Sequence, residues 1–113
     1  MPKREDELLA KDILEAFKNI KDYVGKYNYD EFINNRMCVD AVVRNFEVIG
    51  EASNYLSVEF KSVNSQVEWR KLIDFRNILI HHYFGVNYEI LWDIIIHQVE
   101  EHIDFLESIE FNK

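Results

Sequence analysis

Apolar residues recur at three- and four-residue intervals along nearly all of this 113-residue chain, a spacing that restricts it to helices burying one face each. Leu9, Ile13, Ala16, Phe17, Ile20 and Val24 mark a first helix, which Gly25 stops. Asn28 followed by Glu31 has the pattern of a capping box. It opens a long second helix in which Phe32, Val39, Val42, Phe46, Ile49, Ala52 and Leu56 keep helical spacing to about Ser57. Ser57 to Gln66 lacks periodicity and reads as a loop with one helical turn around Phe60. A third helix starts at Ser65 or Gln66, carries Trp69, Leu72, Ile73, Phe75, Leu79 and Tyr83, and ends at Gly85. Asn87 caps a fourth containing Leu91, Trp92, Ile94, Ile95, Val99, Ile103 and Leu106. The pattern predicts an all-α, up-and-down bundle of four long helices plus a short one, with residues 1–113 forming a single domain.

Composition narrows the function. With 48% hydrophobic residues the chain can bury one real core and not two. Cys38 is the sole cysteine, which leaves no intrachain disulfide and no cysteine-based metal cluster, and its apolar neighbours make it a small buried hydrophobe. The net charge of −8 argues against a surface that grips nucleic acid broadly through phosphates. Any such contact must come from a few arranged cations. No segment approaches the roughly 18 uninterrupted apolar residues of a membrane span, so the expectation is a soluble, cytoplasmic protein.

The third helix holds the residues that need explaining. Arg76, Asn77, His81 and Tyr83 stand there among apolar neighbours. At about 100° per residue, Leu72, Phe75, Leu79 and Tyr83 cluster on a core-facing side with Arg76 at its edge. Asn77, Ile80 and His81 then form with Arg76 one strip pointing away from the core, while His82 leans toward it. An exposed isoleucine flanked by Arg, Asn and His makes a contact surface, and pairing with a second copy across a two-fold axis would bring two arginines and two histidines together. Spacing alone favours a hydrogen-bonded structural histidine beside an ion-paired arginine over a catalytic pair. Tyr83 similarly reads either as a rim packing residue or as a functional one. Gly50, inside the second helix, costs about 1 kcal/mol relative to Ala there; it either admits a close approach by another chain segment or is a neutral choice.

Arg76-Asn77, then Ile78-Leu79-Ile80, then His81-His82-Tyr83 resembles the Arg-x4-His-x-Tyr motif of HEPN-domain toxins of the HepT family. Asp40-Ala41-Val42 through Arg44, Ile49-Gly50-Glu51-Ala52, Trp69, Phe75, Val86-Asn87 and Trp92 are similar to that family's pattern across nearly the whole chain. Two departures stand outside the motif: Asn87 where the family often has Asp, and no proline before Trp69.

The resemblance implies a metal-independent endoribonuclease without a cofactor, working as a homodimer whose cleft lies between two motif helices. His81 would serve as general acid or base and Arg76 would hold the phosphate, with Asn77 orienting phosphate or histidine. The substrate would be RNA, with tRNA the family-based choice. The resemblance further implies a nucleotidyltransferase antitoxin of MntA type that transfers AMP to Tyr83. The competing reading is a non-catalytic helical adaptor that only binds such a partner. Elsewhere, Arg44 and Glu51 read as an ion pair supporting the motif helix or as a solvated face. His97 and His102, five residues apart, fall on different helix faces and do not suit zinc, and Glu100 and Glu101 lack the spacing of a carboxylate di-metal site.

Overall fold

The computed structural model describes residues 4–81 and 87–109, except for the side chain of His81. Within these residues the chain forms α1 (Arg4–Val24), α2 (Tyr29–Ile33), α3 (Arg36–Tyr55), α4 (Val58–Val63), α5 (Trp69–His81) and α6 (Tyr88–Ser108). No described residue is in a strand, so the expected all-α bundle of HEPN type is the fold.

Side-chain caps set the helix boundaries. Asn28 Oδ1 accepts from Glu31 N at 2.8 Å and Glu31 Oε1 accepts from Asn28 N at 2.9 Å, which completes the capping box. The helix it opens stops after five residues. Asn34 caps its end, and Asn35 starts α3 with extended backbone and Oδ1 accepting from Cys38 N at 3.0 Å. The single long second helix of the sequence reading is therefore two, because adjacent asparagines offer the backbone side-chain bonds in place of helical ones. Ser57 opens α4 by accepting from Phe60 N, and Asn87 opens α6 by accepting from Glu89 N and Ile90 N.

The bundle is layered by its nearest helix pairs: α1 lies against α3 and α6, and α3 lies against α5. Between them sit Ile13, Phe17, Ile20, Val42, Phe46, Ile49, Leu79 and Leu91, all buried. At about 1.5–3 kcal/mol for each such side chain, their burial is the main term holding the helices together. Phe17 and Phe46 meet edge to face at 6.5 Å, where α1 crosses α3. Lys18 with Glu107 and Lys21 with Glu100 tie α1 to α6 in antiparallel register; these exposed pairs select geometry more than they add stability.

A polar contact anchors the start of α1. Asp6, 3% exposed, accepts from both Ser57 N (2.8 Å) and Ser57 Oγ (2.6 Å). One carboxylate thus fixes the α3–α4 turn to the first turn of α1. Cys38 is buried as expected. None of the described helices is long and apolar enough to cross a membrane.

Candidate functional site

Helix α5 begins three to four residues later than its periodicity suggests. Residues 64–68 form a compact turn instead, closed by the Trp69 indole donating to Asn64 O at 3.0 Å and by the Phe60 ring beside it. Trp69 at 5% exposure, Ile73 at 9% and Leu79 at 0% then face inward, with Leu72 and Phe75 partly buried against the same core. These residues flank Arg76 on both sides. Arg76 consequently lies along the middle of the packed face, not at its edge, and the strip does not simply point away from the core.

Gly50 makes room for it. A Cβ added at Gly50 would fall inside the space of Arg76 Cβ and lie 2.8 Å from both Arg76 Cγ and the Leu72 carbonyl oxygen. Only glycine leaves α3 bare enough for the arginine stem to lie across it. Of the two readings of Gly50, the close approach is what the structure contains. One turn away, Phe46 meets Phe75 edge to face at 5.3 Å and holds the same two helices together.

Past that seam the guanidinium is oriented by its neighbour. Arg76 Nη1 donates to Asn77 Oδ1 at 2.9 Å, while Arg76 Nε is buried and donates to no acceptor among the described residues. Arg36, Arg44 and Arg70 each face a carboxylate on their own helix, Asp40, Glu47 and Asp74. Arg76 enters no such pair among the described residues. No described carboxylate neutralises its charge, which makes it a local cation on an acidic chain.

His81 is the last residue of α5, one turn beyond Asn77, which puts its backbone on the same side of the helix. Its side chain, His82, Tyr83 and the turn through Gly85 lie outside the described residues. Ile80 and its neighbour Ile78 are exposed, at 43% and 49%. Arg44 pairs with Glu47 and Glu51 is exposed, so this face of α3 is solvated and, among the described residues, gives the motif helix no ion pair. His97 faces Asp93 at 3.3 Å, whereas His102 stacks on Phe17 and meets Gln98 O; the two do not converge.

An all-α bundle in which Arg76 meets no carboxylate among the described residues, on a helix that ends in a histidine, fits the HEPN class. The family described as Ribonuclease HepT-like matches residues 13–109, and the chain belongs to this family. It is 43% identical to a Methanocaldococcus jannaschii protein named "Putative RNase MJ0127", over 96% of this chain and 90% of the relative. It is 36% identical to "Putative RNase TTE0752" of Caldanaerobacter subterraneus subsp. tengcongensis, over 79% of this chain and 80% of the relative. A third relative, "Probable ribonuclease HepT" of Thermococcus cleftensis, is 33% identical over 82% and 84%. No solved structure gives a significant match.

Proposed function

We propose that this chain is a toxin-type endoribonuclease that cuts RNA between two copies of itself and is silenced by AMP transfer to Tyr83. Membership of the HepT-like family and the ribonuclease names of its relatives support the reaction class. The observation that carries the reading to particular residues is Arg76, paired with no carboxylate among the described residues and steadied by Asn77.

In this reading Arg76 binds the scissile phosphate and stabilises the additional negative charge of the pentacovalent transition state through fixed donors. His81 takes the 2′-hydroxyl proton or gives a proton to the departing 5′-oxygen, either of which an imidazole can do near neutrality. The 2′-oxygen displaces the 5′-oxygen at phosphorus, leaving a 2′,3′-cyclic phosphate and a free 5′-hydroxyl, with no metal required. Exposed Ile78 and Ile80 supply apolar surface next to the site for a second copy, which would bring two sets of Arg76 and His81 to one cleft. AMP on Tyr83, two residues past His81, adds negative charge and bulk there and excludes RNA.

Expression in a host cell tests this against the adaptor reading. The nuclease account expects growth arrest when the chain is expressed alone, relief when a nucleotidyltransferase antitoxin of MntA type accompanies it, and no arrest with His81→Ala. Growth unaffected by the chain expressed alone favours the adaptor, and arrest that persists undiminished with a folded His81→Ala protein removes His81 from the chemistry.

A further inference from the structure

We propose that Gly50 is a positioning residue for Arg76 and that, with Asn77, it presents the guanidinium end-on, through its two terminal nitrogens. This rests on the reading of Arg76 as the phosphate-binding group.

An arginine can offer a phosphate two kinds of fork: side-on, through Nε and one terminal nitrogen, or end-on, through Nη1 and Nη2. The side-on fork is closed here, because Nε is buried with its hydrogen turned to no acceptor among the described residues. On Nη1, one hydrogen goes to Asn77 Oδ1. The second Nη1 hydrogen and the pair on Nη2, for which no described residue is an acceptor, form the remaining donor edge. Gly50 is the cause of this arrangement. With no side chain on α3 at this point, Cβ and Cγ of Arg76 press onto the α3 backbone, and Nε beyond them is buried. A methyl at residue 50 would meet Arg76 Cγ and the Leu72 carbonyl, each at 2.8 Å. The carbonyl belongs to the α5 backbone and cannot swing aside as a side-chain tip can. Helix α5 would have to lift from α3, which opens Nε to solvent and turns the donor edge.

Two readouts on isotope-labelled full-length protein test this: hydrogen exchange at the Arg76 Nε–H, and RNA cleavage. In the wild type, the Arg76 Nε–H should exchange more slowly than that of Arg70, whose side chain is 84% exposed. Gly50→Ala should lose that protection while keeping native amide dispersion, and cleavage should fall on the order of 100-fold, the scale of a roughly 1 Å misplacement. Combined with Arg76→Ala, Gly50→Ala should cost no further rate, which a merely structural glycine would not produce. A folded Gly50→Ala protein that cleaves at the wild-type rate overturns the proposal. So does a wild-type Arg76 Nε–H that exchanges as fast as that of Arg70, a result obtainable even where Gly50→Ala does not fold; a protected Nε–H in that case supports it. If the wild type cuts no RNA while the exchange results hold, the nuclease reading falls and the positioning of Arg76 stands.

Discussion

Gly50 of α3 and Arg76 of α5 share one space: the arginine stem occupies the volume that any side chain at residue 50 would fill. Two opposed terms act on Gly50→Ala. Alanine improves helix propensity by about 1 kcal/mol. Overpacking against a side chain and a backbone carbonyl costs about 1–3 kcal/mol, and the carbonyl cannot yield. The substitution should therefore lower the stability of the protein in urea unfolding. A higher unfolding midpoint would show that the seam relaxes freely.

Asp6 is the buried carboxylate on which the α3–α4 turn hangs, through its two bonds to Ser57. Asp6→Ala leaves the Ser57 N–H and hydroxyl without their acceptor, at a cost of about 1–3 kcal/mol. Thermal unfolding should register that loss. The motif lies on another helix, so cleavage by the folded fraction should stay unchanged. A neutral effect on stability would mean that water replaces the carboxylate without loss.

Burial pushes the Cys38 thiol above its ordinary pKa. Since the raised value belongs to the folded state, the neutral thiol favours folding below the ordinary thiol pKa. That contribution is lost as pH rises through the folded value. Alkylation should accordingly be slow in the native protein at neutral pH and fast in urea. Equal rates in both states would contradict a buried Cys38.

How much of this the sequence made legible depended on whether the deciding signal was local. The Asn28–Glu31 box, the helical turn around Phe60 and the Asn87 cap are short-range patterns, and each appears where the local sequence places it. The break at Asn34-Asn35 was hidden because apolar periodicity runs straight through it, from Phe32 to Val39. Arg76 was misplaced on the helix face for a different reason. A core-facing side drawn through Leu72, Phe75, Leu79 and Tyr83 leaves out buried Trp69 and Ile73 on the other side of Arg76, and a glycine on another helix draws the arginine stem inward. Nothing local to either residue encodes that pairing. Asp6 was missed likewise: an acidic residue in a first helical turn reads as a favourable dipole contact, and its partner Ser57 is 51 residues away.

Tyr83 is the expected acceptor of AMP. Incubation with ATP and a nucleotidyltransferase antitoxin of MntA type should add one AMP to the peptide containing Tyr83, and the modified protein should no longer cut RNA. Absence of the mass gain, or undiminished cleavage after it, removes the regulatory reading.

The central claim is that Arg76 and His81 cleave RNA without a metal. Its most direct test is incubation of the purified wild type, Arg76→Ala and His81→Ala with total RNA in chelator, with chemical identification of the fragment ends. The account predicts 2′,3′-cyclic phosphate and 5′-hydroxyl ends from the wild type. Each folded variant should lose at least 100-fold in rate, the lower range for removing a general acid–base group or a transition-state donor. Intact RNA with the wild type, or cleavage by His81→Ala at the wild-type rate, would contradict it.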